Sequence, residues 1–350
     1  MNPDAVAALL AEGEGDQDGD EDGARVPHGS SDDPTLFDFS ANTNPRYPAG
    51  VTRVYGSALP PARSYPADDY SEYRIAAGEY VDCEPRSVVP TPGGLAAIRL
   101  AIGTRVRPGE SVLVPYPSFG EYEREVKLQG GDPVPVPHDE VLDADPADHA
   151  MAIVCNPNNP TGQAYDAERL RAFAARCREH DTVLLVDEAF LGFTDEPSLA
   201  GVDGVVVARS LTKLFGLPGL RMGFAVATGD HRDRLTAARR TWNLSVPAMA
   251  VGEHCMGETD FVRRTRERVS DERTRMRARL RTRFDVHSSD SPFLLLDAGS
   301  PEAATKAIED ARTHDVVIRD ARTFRGLDSH VRVAVRLPDE NDRLLAALGV

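Results

Sequence analysis

Arg209-Ser-Leu-Thr-Lys213-Leu-Phe-Gly-Leu-Pro-Gly-Leu-Arg221-Met-Gly-Phe224 follows the apolar run Val205-Val-Val-Ala208. A short run of β-branched residues reads as a buried strand, so Ser210, Thr212 and Lys213 stand at its carboxyl end, where ligands of open α/β sheets bind. Only three of the 40 basic residues are lysine: Lys127, Lys213 and Lys306. Lysine loses its proton when desolvated and can then attack a carbonyl, whereas arginine stays charged. Lys127 lies on a charged helical face, Glu121 to Lys127, and Lys306 in an amphipathic helix, Pro301 to Thr313, so both read as solvated. Schiff-base chemistry therefore has one candidate, Lys213, although alone it also reads as an ordinary loop lysine. The two hydroxyls before it and Arg221 after it make an anion pocket, because both groups bind phosphate well.

The chain has 350 residues, long enough for two lobes or one lobe with a satellite. A formal net charge of −16 and a pI near 5.0 argue against a nucleic-acid footprint. With almost no lysine, the acid excess also suits a surface kept soluble at high salt, a halophilic reading. Cys83, Cys155, Cys177 and Cys255 show no metal-ligand spacing and read as free thiols. No apolar stretch reaches the length of a membrane span and no signal-like N-terminus is visible. The expectation is a soluble cytoplasmic protein with no metal, nucleic-acid or membrane partner.

Residues 1 to about 24 open on a short helical patch, Val6 to Leu10, and continue as an acidic, glycine-rich run to Gly23 that has nothing to bury. Leu36 to Phe39 is a short strand, followed by the amide-rich Ser40-Ala-Asn-Thr-Asn-Pro45. The pair Gly93-Gly94 opens a helix, whose free N–H groups suit a phosphate. Ser111–Val114, Ala150–Cys155, Thr182–Val186 and Gly204–Val207 are apolar strands separated by helices such as Asp166 to Glu179. That alternation indicates a mostly parallel sheet covered on both faces. Clusters at the strand ends, among them Asn156 to Gly162, Asp187 to Phe190 and Ser210 to Lys213, would converge on one site. Beyond Arg221, a charged helix from about Asp260 to Arg283 leads to strands at Phe293–Leu296, Val316–Ile318 and Val331–Val335, an α+β satellite. Its arginines 319, 322, 325, 332 and 336 read, on their own, as a solvated face.

Asn159-Pro-Thr-Gly162, Asp187-Glu-Ala-Phe190 and Ser210-Leu-Thr-Lys213 with Arg221, in this order, resemble the class I/II aminotransferases of the pyridoxal-phosphate fold-type I superfamily. The resemblance covers residues 28 to 350. It implies an α/β fold: a mostly parallel, seven-stranded-type sheet in a large cofactor-binding domain, 56–245, with a C-terminal small α+β domain, 246–350. An arm belonging to the small domain, 28–55, and a disordered acidic tail, 1–27, would precede them. The implied cofactor is pyridoxal 5'-phosphate. By resemblance, Lys213 carries it, Asp187 keeps its pyridine nitrogen protonated, Asn159 bonds the ring hydroxyl and Phe119 stacks on the ring. Its phosphate would lie on the amides of Gly94 and Leu95, on Ser210, Thr212 and Arg221, and on Tyr65 of a second subunit, which implies a homodimer. Arg332 resembles the arginine that grips the substrate carboxylate, Arg319 the contact to a substrate phosphate, and Asn44 a residue on the substrate side.

Two branches share these features. Histidinol-phosphate aminotransferases are one; threonine-phosphate decarboxylases resemble the chain more through His28-Gly-Ser30, Asp38-Phe-Ser-Ala-Asn-Thr-Asn-Pro45, Phe190 in place of a tyrosine, and Ile318-Arg-Asp-Ala-Arg-Thr-Phe-Arg-Gly-Leu327. The expected reaction is decarboxylation of L-threonine O-3-phosphate to 1-amino-2-propanol O-2-phosphate in cobalamin biosynthesis. The alternative is transamination of histidinol phosphate, so either substrate is a phosphorylated amino compound.

Overall fold

Alternation of side chains about each strand builds the centre of the molecule. On one face, Val112, Val114, Met151, Ile153, Val183, Leu185, Val206 and Ala208 are buried together; on the other, Leu113, Ala152, Val154, Leu184, Val186, Val205 and Val207 are. Strands buried on both faces read as continuous apolar runs, which is why the sequence shows them so plainly. The computed structural model describes residues 1–13, 31 and 33–350. The acidic run after Gly13 and His28-Gly29-Ser30 lie outside the described residues.

Strands β1 (Phe37–Asp38), β2 (Val88–Thr91), β3 (Ser111–Tyr116), β4 (Asp132–Pro137), β5 (Met151–Cys155), β6 (Val183–Asp187), β7 (Val205–Ser210) and β8 (Gly223–Val226) occupy the first two thirds of the chain. Strands β2 to β8 form a seven-stranded sheet in the order β2-β8-β7-β6-β5-β3-β4. Neighbours from β7 to β4 are parallel and β8 alone runs against both of its neighbours. β4, absent from the strands expected above, is Asp-Pro-Val-Pro-Val-Pro, which cannot donate at each proline and so suits the sheet edge. Helices α1 (Pro3–Gly13), α2 (Val51–Ala58), α3 (Ser71–Val81), α4 (Gly94–Arg105), α5 (Glu121–Leu128), α6 (Ala167–Glu179), α7 (Gly229–Ala238) and α8 (Val246–Met256) accompany these strands. Asp166 caps α6 by accepting the Arg169 N–H at 2.9 Å, so its apolar stripe Leu170, Phe173, Ala174 and Cys177 meets the sheet in register.

The long α9 (Thr259–Leu280) leads to β9 (Asp285–Val286), β10 (Phe293–Asp297), α10 (Pro301–Arg312), β11 (Val316–Val317), β12 (Arg319–Asp320), β13 (His330–Ala334) and α11 (Pro338–Ala347). Four of these strands form a sheet, β12-β13-β10-β9, in which Arg319 and Arg332 are cross-strand partners. β1 pairs in parallel with β11, so the chain's early arm is stitched to its last part. Three expectations need correction. Residues 3–13, expected to be disordered apart from a helical patch at Val6 to Leu10, form α1 throughout; its half-buried Val6 and Leu9 give it a face, and it packs on α5. The arginines read as a solvated face include Arg319 and Arg332, both buried. The α5 face is not wholly solvated either: Glu121 and Glu125 are buried and paired to Arg99 at 3.2 and 2.5 Å, while Glu123, Arg124 and Lys127 are half-buried.

Among the described residues no helix is long and apolar enough to cross a membrane, and no group of three or more His, Cys, Asp or Glu side chains could hold a metal ion.

Candidate active site

Strand ends set the floor of the site. Asp187 is the last residue of β6 and Ser210 the last of β7, with Thr212 and Lys213 just beyond. These residues, with Asn159, Phe119, Gly94, Leu95 and Arg221, line one cavity of about 440 Å³; Arg319 and Arg332 close it from β12 and β13. The backbone leaves little choice of residue here. Gly93 has φ +92, and a Cβ on it would stand 2.9 Å from Arg221 Nη2. A Cβ on Gly216, at φ +66, would meet the Arg46 carbonyl oxygen at 2.4 Å, so only glycine lets the lysine loop lie against residues 44–46. α4 begins at Gly94 with no side-chain cap. The start of α4 lies against Ser210, since a Cβ on Gly94 would stand 3.1 Å from Ser210 Cβ; Ser210 Oγ and Thr212 Oγ1, 2.8 Å apart, and the Arg221 guanidinium near Gly93 thus gather at the positive end of the helix dipole.

The electrostatics divide the cavity. Burial first, and the Arg332 and Arg221 guanidiniums next, pull the Lys213 ammonium down to about 8 from its ordinary 10.5, against the opposing pull of Asp187 and Asp38. A useful fraction of the amine is thus uncharged near neutral pH. Burial raises the Asp187 carboxyl, while two donors act the other way: the Tyr122 hydroxyl donates a hydrogen bond to Oδ2 at 2.6 Å and the Ala189 N–H donates to Oδ1 at 3.0 Å. Burial and the neighbouring Arg319 lower the Arg332 guanidinium to about 9, still charged at pH 7. Arg332 donates through Nη1 to Asn159 Oδ1 and through Nη2 to the Ser40 carbonyl at 3.0 Å, and its buried Nε has no partner among the described residues. Arg319 donates to Thr323 Oγ1 at 2.9 Å. Phe190 is buried edge-on to Phe293, their ring centres 5.0 Å apart, so no hydroxyl stands at that point of the wall.

Two of the expected residues stand elsewhere. Asn44 does not line the cavity: its Nδ2 donates to the Leu214 carbonyl at 2.8 Å and its Oδ1 accepts from Arg268 Nη2 at 2.8 Å. Its backbone N–H holds the Lys213 carbonyl at 2.9 Å, so Asn44 supports the lysine loop from behind. Two residues earlier, Asn42 faces the cavity, its buried Oδ1 without a partner among the described residues. Tyr65 is 76% exposed, stacked on Trp242 at 4.2 Å, and lies outside the cavity of its own chain.

Nothing in the sequence marks Tyr122 or Glu123 as neighbours of the site; Asn42 stands out there only as one of the amides of Ser40 to Pro45, and Arg325 only within an arginine run that reads as solvated. Tyr122 and Val126, one helical turn apart and both buried, were the available sign that α5 has an inward face. For Asn42 over Asn44 there was no sign, since which amide of a loop turns inward is decided by tertiary contacts.

The family of aminotransferase class I and II matches residues 62–348. Histidinol-phosphate aminotransferase 1 of Archaeoglobus fulgidus is 28% identical over 320 residues, 89% of this chain and 98% of that one. A protein of Caldanaerobacter subterraneus, provisionally named a threonine-phosphate decarboxylase, is 31% identical over 307 residues, 81% of this chain and 82% of that one. Among solved structures, histidinol-phosphate aminotransferase from Sinorhizobium meliloti in complex with pyridoxal-5'-phosphate shares the fold with a TM-score of 0.80, at 22% identity and covering 89% of each chain.

Proposed function

The chain belongs to the aminotransferase class I and II family, and from that membership we propose that it decarboxylates L-threonine O-3-phosphate with pyridoxal 5'-phosphate as cofactor. The cavity fits this cofactor on its own chemistry. A phosphate matches the cradle of uncapped α4 amides, Ser210, Thr212 and Arg221, which a Cβ on Gly93 would obstruct. A protonated ring nitrogen matches Asp187, a buried carboxylate with no paired cation among the described residues, and its charge would stabilise the anion that burial disfavours. An aldehyde matches the partly deprotonated Lys213. Phe119 would cover the ring and Asn159 would meet its hydroxyl.

When bound, the cofactor supplies an electron sink for the pair released when a bond to the substrate Cα breaks. The protein's part is binding and orientation. Arg332 takes the α-carboxylate, Arg319 takes the phosphate, and their fixed spacing across β12 and β13 sets which bond at Cα lies in the reactive direction. Loss of carbon dioxide leaves Cα needing a proton, and the Lys213 ammonium is the group that returns it. Transamination would instead require the Lys213 amine to remove the Cα proton.

The observation that carries the reading is the cross-strand pair Arg319 and Arg332, two guanidiniums lining one cavity. A substrate bearing a carboxylate and a phosphate at once matches both, and L-threonine O-3-phosphate does so in one molecule. The second reading, transamination of histidinol phosphate, is favoured by the name of the Archaeoglobus relative. We extend the proposal to a homodimer in which the exposed Tyr65 serves the partner subunit's phosphate cradle. The test incubates the cofactor-loaded protein with each substrate in turn. Carbon dioxide and 1-amino-2-propanol O-2-phosphate from threonine phosphate are expected; glutamate formed from 2-oxoglutarate and histidinol phosphate, without gas release in the first assay, would overturn the proposal.

A further inference from the structure

The cavity carries more positive side chains than the reaction has used. Lys213, Arg221, Arg319 and Arg332 have been given tasks; Arg325 also lines the cavity and has none. Its hold differs from theirs. Arg332 is buried and donates to two fixed oxygens, and Arg319 is buried against Thr323. The Arg325 side chain is 56% exposed; its guanidinium stands 3.7 Å from the Glu123 carboxylate and 5.4 Å from the centre of the Tyr116 ring. Neither contact is a hydrogen bond of ordinary length, and exposed pairs of this kind hold weakly.

Glu123 has a second cation within reach, Lys127 at 3.1 Å one turn along α5, so losing Arg325 would not strand it. The following Gly326 has φ +82, a backbone conformation that favours glycine, and a Cβ built on it would stand 3.7 Å from the Tyr116 ring carbons, so the loop carrying Arg325 runs beside that ring. Glu123 belongs to a helix of the large sheet, whereas Arg325 sits on the loop between β12 and β13, so the pair bridges the mouth from two sides.

We infer that Arg325 is a specificity-determining residue that leaves Glu123 to pair with the phosphate of an incoming substrate, beside Arg319; this rests on the phosphorylated-substrate reading above. A phosphate carries more charge than a carboxylate already shared with Lys127, and it accepts two parallel N–H bonds from guanidinium. Glu123 at the mouth then disfavours anions that cannot claim Arg325.

The test measures dissociation constants of L-threonine O-3-phosphate and L-threonine, and of histidinol phosphate and histidinol, from the absorbance change of the cofactor-loaded protein. Wild type, Arg325→Ala, Arg325→Lys and Glu123→Gln are compared. The wild type should prefer the phosphorylated member of at least one pair. Arg325→Ala should reduce that preference about tenfold or more with the unphosphorylated partner little changed, and Arg325→Lys should restore part of it. Glu123→Gln should tighten the phosphorylated ligand a few-fold. If the wild type discriminates and Arg325→Ala discriminates equally, the inference fails alone. If Arg325→Ala weakens both members of a pair alike, it also fails, because the side chain then supports the site generally. A wild type that binds both members of both pairs alike removes the phosphorylated-substrate reading and this inference with it.

Discussion

The end of the cavity assigned to the cofactor and the end assigned to the substrate come from different parts of the chain. Asp187, Ser210, Thr212 and Lys213 sit at or just after strand ends of one seven-stranded sheet, and their positions follow from its register. Arg319, Arg325 and Arg332 arrive from a separate four-stranded sheet and the loop joining its strands. The first end is fixed by main chain already paired for the fold. The second is fixed by side chains that reach across, so it can vary while the chemistry at the floor stays the same.

Replacing Lys213 should break the comparison most severely. Lys213→Met should reduce turnover to the background of free cofactor while raising the stability of the cofactor-free protein. The sign follows from the lowered pKa: between about 8 and 10.5 the unfolded lysine binds a proton that the folded one lacks, so wild-type stability rises with pH across that window. Below about 8 the full cost of the buried ammonium is present, and the methionine variant should be more stable there by roughly 1–3 kcal/mol, a gap that closes by pH 10.5. Denaturant unfolding at pH 7 and pH 10 checks both halves.

Asp187→Asn comes next. An amide keeps the shape but cannot hold a ring nitrogen protonated, so kcat should fall about 10²–10³-fold, the scale of losing one preorganised electrostatic partner. Steady-state kinetics with the cofactor at saturation would show it; an unchanged kcat would remove Asp187 from the floor's chemistry. At the substrate end, Arg332→Ala should raise KM about 10–100-fold, because a charge-assisted pair is lost, and lower kcat as well, because the carboxylate is no longer held in the reactive direction. The smallest effect belongs to Asn44. Asn44→Ala should cost about 1–3 kcal/mol of stability, since it strands the Leu214 carbonyl and Arg268, with KM within a few-fold of wild type. A large KM change with unaltered stability would return Asn44 to the substrate wall.

The same division decided what could be read from the chain beforehand. Val205 to Ala208 and Thr182 to Val186 announced themselves as doubly covered strands, and the residues following them were located with them. β4 gave no such signal because its prolines break the usual strand composition. At the substrate end the arginines were visible as a group, but their inward or outward sense depends on the pairing of β12 with β13, which periodicity over two residues cannot reveal. Tyr122 was hidden by the charges around it, and the burial of Glu121 and Glu125 depends on Arg99 from another helix. Asn42 and Asn44 differ only in what packs against their loop.

The central claim is that one amino group, that of Lys213, holds the cofactor. Borohydride reduction of the cofactor-loaded protein followed by peptide mass spectrometry tests it directly: a single pyridoxyl adduct on the peptide containing Lys213 is the predicted result, and an adduct on Lys127 or Lys306 alone, or none, would contradict it.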